Sequence, residues 1–577
     1  MRSVLSTISA AVAFITFSLQ PLGAQETPIY SFKDRFHPVT AQNGMVASQE
    51  AVATRVGVKI LKKGGNAVDA AIATGFALAV TLPRAGNLGG GGFMMIHMSG
   101  SGETTALDYR EMAPAAAFKD MFLDAEGNPD KQKSRFSGLA IGVPGTVAGF
   151  AAAFDKYGSG NLTWAELVAP AIKLAEDGIT VTPSLSAALM SAAPRLTKDP
   201  ASAAIFYKQS TVPFLPGEIL KQTDLASTLR LIAEQGAMGF YEGKVAENIA
   251  AKVQSAGGGM TVEDLASYQP VWRSAVTGNY RGYEIASMPP PSSGGIHIVQ
   301  ILNMLESYPL REFGPNSADT IHVMAEAMRR AYADRSKFLG DPDYVSVPAK
   351  GLTSRDYAAE LIETIVLETA TPSTEVKPGA PVPYESNETT HFSVVDKDGN
   401  AVSNTYTLNF SYGVGLTADG TGVLLNNELD DFSAKPGIPN AYGLIGGTAN
   451  AVEGGKRPLS SMSPTLVFKD GEFHMATGSP GGSRIITTTL QIILNVVDHQ
   501  MNIAEATAAT RIHNQWLPDE IRVEEGLSPD TINLLEARGH EINVKNAMGS
   551  TQSIMRVDGV LAGASDPRRP GALTEGY

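Results

Sequence analysis

The sequence predicts an α+β fold in which helices cover a stack of β-sheets. Apolar residues recur with a helical period through most of residues 45–365. From residue 389 the period changes to two, which is typical of half-buried strands. Two helical stretches and further short strands then follow to the C-terminus. Strands and helices that are segregated along the chain in this way are typical of α+β proteins.

Helices are predicted where a capping residue precedes an apolar stripe. Ser48 is expected to cap the first helix, with Val52 and Ile60 on one face, and Asn66 to cap the next, at 67–80. The segment 67–80 contains Asp69 and is shorter than the roughly 20 residues of a membrane span, so we expect a buried core helix. Further helices are predicted at 163–176, 225–235, 297–308, 318–338, 354–367, 485–500 and 503–510.

Strands are predicted in both parts of the chain. The segments 104–109 and 281–288 have strand character in the helix-rich part. Beyond residue 388, alternating segments separated by short turns predict two hairpins, at 389–395 with 401–409 and at 465–469 with 473–476. Short strands are predicted near the C-terminus at 553–557 and 560–563. Residues 368–388 carry several prolines among Ser, Thr and Glu, and predict an extended, exposed linker that is neither helix nor strand.

Composition excludes several classes of function. The net charge is −14, which argues against nucleic acid as a partner because phosphate binding needs a basic stripe. The chain has no cysteine, so disulfides, thiolate nucleophiles and iron–sulfur clusters are excluded. No His-Glu-x-x-His motif occurs. The turn 396–400 lacks the glycine and glutamate of a calcium loop, so no metal site is predicted.

The N-terminus is predicted to be an export signal. Residues 1–24 combine Arg2, an apolar stretch and a small-residue site that ends at Ala24. We therefore expect an exported protein with no membrane span after the signal is removed.

Thr389 is the candidate nucleophile. It stands where the proline-rich linker meets the first strand of a sheet. A threonine hydroxyl needs an adjacent base, and an N-terminal threonine carries one in its own α-amine. That chemistry requires cleavage of the chain between Glu388 and Thr389, and the exposed linker suits an autocatalytic N→O acyl shift there.

Several blocks of sequence resemble the γ-glutamyltranspeptidase family, whose members are also called glutathione hydrolases. The blocks are 89–94 (GGGGFM), 107–114 (LDYREMAP), 389–399 (TTHFSVVDKDG), 424–436 (LLNNELDDFSAKP), 457–464 (RPLSSMSP) and 477–485 (TGSPGGSRI). They occur in the family's order and span nearly the whole chain beyond the signal.

The resemblance implies an N-terminal-nucleophile hydrolase with a four-layer αββα sandwich. It implies a helix-rich large subunit at 25–388 and a β-rich catalytic subunit at 389–577, which form a heterodimer from one precursor. It also implies a periplasmic location, with secretion into the medium as the alternative.

The resemblance assigns the catalytic residues. Thr389 is the nucleophile, and Thr407 matches a threonine that hydrogen-bonds it; the alternative for Thr407 is a hydroxyl that is satisfied within its strand. Gly481 and Gly482 look like the oxyanion hole, although a turn that starts a helix explains the same glycines. His391 is a conceivable second base, but a packed, hydrogen-bonded histidine is the better interpretation.

The substrate-binding residues follow from the same resemblance. Arg110, Ser460 and Ser461 would bind the α-carboxylate of a γ-glutamyl donor; Asn409, Glu428 and Asp431 would bind its α-ammonium. A structural ion pair is the alternative for Arg110 and Asp431. The segment 436–447 (PGIPNAYGLIGG) matches the family's lid loop, and Tyr442 would shield the pocket.

The function that this resemblance implies is cleavage of glutathione and other γ-glutamyl amides, followed by hydrolysis or by transfer to an amino acid or dipeptide. No cofactor is expected. Two alternatives remain. One is a glutaryl-type β-lactam side-chain acylase on the same scaffold, and the other is a non-catalytic exported binding protein.

Overall fold

Two stacked β-sheets form the centre of the structure, and helices cover the outer face of each. The computed structural model describes residues 36–379 and 390–577. The strands in these residues are β1 (Val39–Ala41), β2 (Met45–Ser48), β3 (Gly91–Met98), β4 (Glu103–Tyr109), β5 (Ile179–Thr180), β6 (Tyr207–Lys208), β7 (Val212–Pro213), β8 (Ile219–Leu220), β9 (Val271–Arg273), β10 (Val276–Tyr280), β11 (Tyr283–Ser287), β12 (Thr390–Val395), β13 (Ala401–Thr407), β14 (Thr465–Lys469), β15 (Glu472–Thr477), β16 (Ile512–His513), β17 (Ile521–Glu524), β18 (Ile542–Lys545), β19 (Gln552–Val557), β20 (Val560–Ser565) and β21 (Leu573–Gly576).

The helices in the same residues are α1 (Ala51–Lys62), α2 (Ala67–Thr81), α3 (Lys131–Phe136), α4 (Thr146–Tyr157), α5 (Trp164–Asp177), α6 (Pro183–Leu196), α7 (Pro200–Phe206), α8 (Thr223–Gln235), α9 (Met238–Tyr241), α10 (Gly243–Ser255), α11 (Val262–Ala266), α12 (Gly294–Leu305), α13 (Leu310–Phe313), α14 (Ala318–Phe338), α15 (Ala349–Leu352), α16 (Arg355–Ile362), α17 (Arg484–Val497), α18 (Ile503–Ala508) and α19 (Pro529–Ala537).

The two large sheets have seven strands each. The strand order is β21-β2-β12-β13-β3-β4-β9 in the first sheet and β1-β20-β19-β15-β14-β11-β10 in the second. Strand β3 shows how the layers form. Its residues Phe93 and Met95 belong to the core between the sheets, while Met94 and Ile96 belong to the core under the helices. This alternation buries both faces of the strand.

Each outer face is covered by its own set of helices. The core on the first sheet contains residues of α1, α2, α4, α5, α8 and α10. The core on the second sheet contains residues of α12, α14, α17 and α18. The four-layer αββα sandwich expected from the sequence is therefore confirmed.

Residues on both sides of position 389 contribute to both sheets. The first sheet takes β2, β3, β4 and β9 from the part before it, and the second takes β1, β10 and β11. The part after position 389 supplies the remaining strands. The predicted helix-rich part thus also provides half of the strands in the large sheets, and the two parts share one core.

Helix α2 lies against the first sheet and is buried along its whole length, as expected of a core helix. Asn66 caps it, accepting hydrogen bonds from the N–H groups of Val68 and Asp69, while the Asp69 side chain accepts from the N–H of Asn66. This reciprocal arrangement is a capping box. The predicted boundary at Asn66 is therefore confirmed.

Two local predictions are wrong. Glu50, and not Ser48, caps α1, because the Glu50 carboxylate accepts the Ala53 N–H at 2.9 Å while the Ser48 hydroxyl bonds to Thr54 within the turn. The linker is not fully exposed. Ser373 and Val376 are buried, and the Trp516 indole N–H donates to both of their carbonyl oxygens at 2.9 and 3.2 Å.

The export signal predicted at 1–24 and the junction Glu388–Thr389 lie outside the described residues. Within residues 36–379 and 390–577, no helix has both the length and the apolar character needed to cross a membrane. The same residues contain no group of three or more His, Asp or Glu side chains arranged to hold a metal ion.

The close contact between β3 and β13 gives a test of the fold. At Gly90, an added Cβ would lie 1.9 Å from the Thr407 carbonyl oxygen, which is backbone and cannot move aside. We expect Gly90→Ala to lower the free energy of unfolding by about 3 kcal/mol or more. The matched control is Gly100→Ala, because an added Cβ there meets no atom within 4 Å. Chemical denaturation of both variants checks this, and equal stability would contradict the packing described.

Candidate active site

A cavity opens where β12 begins and β13 ends. Its volume is about 300 Å³, and no Asp or Glu is among the residues described around it. Six of its lining residues matter for the chemistry: Thr390, Thr407, Asn409, Tyr442, Gly481 and Gly482. The cavity therefore brings five of the predicted site residues together beside Thr390, the first described residue of the strand that follows the Glu388–Thr389 bond.

Thr407 is held at the end of β13 by contacts on two sides. Its hydroxyl oxygen accepts the Asn409 N–H at 2.7 Å. Its carbonyl oxygen accepts from the Asn87 side chain at 2.8 Å. Among the described residues the Thr407 hydroxyl proton has no acceptor, so this hydroxyl can donate a hydrogen bond into the cavity.

Asn409 connects the cavity to the lid loop. Its backbone is in the left-handed region, with φ at 67°, a conformation that asparagine tolerates better than most residues. The Tyr442 hydroxyl donates to its side-chain oxygen at 2.6 Å. The Asn409 amide donates to the Asn427 carbonyl at 3.0 Å. Asn409 thus links the lid to the chain segment that carries Glu428.

The lid loop is folded over the cavity by its own turn. The Asn440 side chain accepts hydrogen bonds from the N–H groups of Tyr442 and Leu444 at 3.0 and 3.2 Å. The Tyr442 ring meets Phe410 edge to face, with 5.9 Å between centroids. Tyr442 therefore lies at the cavity, where the sequence resemblance expected the shielding side chain.

Gly481 and Gly482 form the turn before α17. Their φ angles are 135° and 71°, a region that favours glycine. Among the described residues neither backbone N–H has an acceptor. Two such N–H groups beside one cavity can stabilise a developing oxyanion. The turn also starts α17, so the structural interpretation and the catalytic one describe the same geometry.

Arg110 is fully buried in a second group of residues that does not line this cavity. Its guanidinium donates to Glu428 and, at 2.6 Å, to Asp431. It also donates to the carbonyl oxygens of Pro458 and Leu459 at 3.3 Å. The structure therefore pairs the residue expected to bind the α-carboxylate with two of those expected to bind the α-ammonium.

The serines of the second group lie in the segment that Arg110 holds. Ser460 and Ser461 follow Leu459 and are buried. The Ser460 N–H donates to Pro291 at 3.0 Å, and its hydroxyl oxygen accepts the Met462 N–H at 3.3 Å. Ser460 and Ser461 thus belong to the Arg110 group, while Asn409 and Asn427 connect that group to the cavity.

Burial controls the charges in the second group. Burial alone would lower the pKa of the Arg110 guanidinium, but the carboxylates of Glu428 and Asp431 raise it, so Arg110 stays charged. Burial raises the pKa of Asp431 to about 6, although Arg110 opposes the shift. For Glu111, burial raises the pKa to about 7. Glu111 was not among the predicted site residues, and its place beside Arg110 is its only signal in the sequence.

His391 is a packed histidine and not a second base. One ring nitrogen lies 2.9 Å from the Thr405 hydroxyl oxygen, and the other lies 3.0 Å from that of Ser393. Full burial lowers its pKa to about 3. The imidazole is therefore neutral at physiological pH, with both nitrogens already hydrogen-bonded.

A four-layer αββα sandwich with a strand that starts at such a cavity defines the N-terminal-nucleophile hydrolase class. A solved cephalosporin acylase from Bacillus halodurans has this fold, with a TM-score of 0.83 and 30% identity over 96% of this chain and 99% of its own. A solved γ-glutamyltranspeptidase chain from Helicobacter pylori is 49% identical, with a TM-score of 0.56, over 57% of this chain and 94% of its own.

Sequence comparison narrows the class. The glutathione hydrolase proenzyme of Escherichia coli (strain K12) is 59% identical over 94% of each chain. The γ-glutamyltranspeptidase family model matches residues 53–576. This chain belongs to the γ-glutamyltranspeptidase family.

The raised pKa of Glu111 predicts a pH dependence of stability. The folded protein keeps the Glu111 proton up to about pH 7, whereas the unfolded chain releases it near the ordinary value of 4.5. Between these values the unfolded state binds fewer protons, so this residue makes stability fall as pH rises. We expect Glu111→Gln to gain melting temperature relative to wild type between pH 5 and pH 8.

Thermal unfolding across that pH range checks the Glu111 prediction. Glu263→Gln changes an exposed carboxylate on α11 and serves as the control. Parallel pH profiles for wild type and Glu111→Gln would show that Glu111 does not hold its proton in the folded protein.

Proposed function

We propose that this protein is a γ-glutamyltransferase and glutathione hydrolase that cuts its own chain between Glu388 and Thr389 and uses Thr389 as its nucleophile. The observation that carries the proposal is the position of Thr390, which lines the same cavity as Thr407, Gly481 and Gly482. Consecutive Cα atoms are about 3.8 Å apart, so a nucleophile one residue earlier belongs at this cavity.

In the first half-reaction, Thr389 Oγ attacks the γ-carbonyl carbon of the donor. The α-amine of Thr389 takes the hydroxyl proton as the C–O bond forms, and the carbonyl oxygen becomes an oxyanion at the N–H groups of Gly481 and Gly482. Losing one such donor typically costs about 2.7–4 kcal/mol of barrier. The C–N bond then breaks, the ammonium of Thr389 protonates the leaving amine, and a γ-glutamyl ester remains.

In the second half-reaction, water or the amine of an amino acid or dipeptide attacks the ester carbonyl. The α-amine of Thr389 accepts the attacker's proton, and the same oxyanion site is used again. The ester C–O bond breaks, Thr389 regains its hydroxyl proton, and glutamate or a new γ-glutamyl amide leaves. Thr407 supports both steps by donating to Thr389 Oγ.

The charges of the Arg110 group support a zwitterionic donor head group. Arg110 carries one positive charge, and its partners Glu428 and Asp431 carry two negative charges when both are ionised. A γ-glutamyl head group adds one carboxylate and one ammonium, so it buries no extra net charge. The carboxylate would take donors from Arg110, Ser460 and Ser461, and the ammonium would lie between Asn409, Glu428 and Asp431.

Cleavage would leave a heterodimer of residues 25–388 and 389–577. The interleaved strands support lasting association, because separation would expose both sheet cores. The H. pylori chain supports a two-chain organisation, since 94% of it aligns with only 57% of this chain. Export to the periplasm, with release into the medium as the alternative, rests on the signal expected at 1–24.

Replacing Thr389 tests the nucleophile. We expect Thr389→Ala to abolish chain cleavage and to lower the rate of γ-glutamyl anilide hydrolysis by at least about 1,000-fold. Thr389→Ser keeps a hydroxyl and an α-amine, so it should retain part of both activities. Denaturing gels and anilide assays check the pair. Normal cleavage of the Ala variant would show that another group cuts the bond.

The donor head group distinguishes the acylase alternative from the proposed γ-glutamyltransferase. It has support from the B. halodurans acylase, which shares the fold. A glutaryl group lacks the ammonium, so its binding would add one uncompensated negative charge to the buried Arg110 group.

We expect this enzyme to hydrolyse γ-glutamyl anilide with a kcat/KM at least about 100-fold above that for glutaryl anilide. The two substrates share the leaving group, so a common chromogenic assay gives the ratio directly. A ratio near one, or a preference for glutaryl anilide, would favour the acylase.

A further inference from the structure

Three arginines line the same cavity as the residues assigned to chemistry. They come from three separate parts of the chain: Arg84 follows α2, Arg484 begins α17, and Arg569 lies in the loop between β20 and β21. Because no acidic residue is described in the lining, the cavity is strongly positive.

Among the described residues, none of these three guanidinium groups has a carboxylate within salt-bridge distance. The buried arginines Arg110, Arg457 and Arg511 contrast with them, because each has at least one acidic partner within 4.0 Å. Arg84 is half-buried, and its pKa is lowered by burial and by the nearby charge of Arg569. Two close cations without an acidic neighbour are stabilised when an anion binds between them.

Most of the residues expected to hold the donor head group lie outside the described lining of the cavity, although Asn409 is part of it. Arg110, Glu428 and Asp431 do not line it. If the donor's α-carboxylate lies at Arg110 and the reacting carbonyl lies at the cavity, the leaving group extends into the space that the arginines line. A dipeptide leaving group extends about 7 Å beyond the scissile amide, and its C-terminal carboxylate is the anion that reaches this space.

We propose that Arg84 and Arg569 form a carboxylate-binding subsite that selects γ-glutamyl donors whose leaving group is a peptide with a free C-terminus, with Arg484 adding to the positive field. The same subsite binds the carboxylate of a peptide acceptor in the transfer reaction. This inference rests on the proposed function and names the part of the substrate that lies beyond the scissile bond.

The experiment compares three donors that share the γ-glutamyl head. They are glutathione, glutathione with its C-terminal carboxylate converted to the amide, and γ-glutamyl anilide, whose leaving group has no carboxylate. We expect wild type to favour glutathione over the amide by about tenfold in kcat/KM. This ratio corresponds to the lower end of the energies of hydrogen bonds to charged groups, and we expect the lower end because Arg569 is exposed. The ratio should decrease with added salt, since exposed charges are screened.

The variants are Arg84→Gln, Arg569→Gln and the double variant, each checked first for chain cleavage. The double variant should bring the ratio of glutathione to its amide close to one, while anilide hydrolysis changes by less than about threefold. Lysine at both positions should restore part of the preference, because it restores the charge. Arg55→Gln is the matched control, since Arg55 is exposed and paired with Glu575.

Two results would overturn the subsite. One is an unchanged ratio in the double variant; the other is an equal loss with all three donors, which would make the arginines structural. Failure of the proposed function gives a different result, because wild type itself would then leave γ-glutamyl anilide intact.

Discussion

The pairing of β12 and β13 in the middle of the first sheet is the constraint on which the rest of the structure depends. Strand β12 pairs with β2 on one side, and β13 pairs with β3 on the other, so strands from beyond position 389 lie between strands from before it. A cut at this position therefore leaves both products within one core. Thr390, the first described residue after this position, lines the cavity together with Thr407, Gly481 and Gly482.

The charged residues of the site form two groups of different charge. In the Arg110 group, Arg110 is buried with an excess of carboxylates, which suits a head group that brings an ammonium as well as a carboxylate. At the cavity, by contrast, the lining contains Arg84, Arg484 and Arg569 and no acidic residue among those described. A γ-glutamyl peptide has this same polarity, with a zwitterion at one end and a carboxylate at the other. In the proposed function, the scissile bond would lie between these two ends, at the Gly481 and Gly482 N–H groups.

Local signals in the sequence predicted much of the fold. Asn66 predicted the start of α2, and the alternating segments 465–469 and 473–476 predicted the hairpin of β14 and β15, because both depend on residues close in the chain. Long-range contacts were not predictable in this way. The contact of Trp516 with the linker at Ser373 joins distant parts of the chain, and the ion pair of Arg110 with Asp431 was predicted only as an alternative to two separate binding roles. Arg84 lies in a turn without periodicity, so nothing in the sequence marked it.

The proposed mechanism requires that the chain is cut so that Thr389 gains a free α-amine. The most direct test is a denaturing gel of the purified protein with N-terminal sequencing of the smaller band. We expect a band of about 20 kDa, a third of the 60.7 kDa chain, that begins Thr-Thr-His-Phe-Ser. A single uncut chain after long incubation, or a band with a different first residue, would leave Thr389 without its base and would contradict the proposed mechanism.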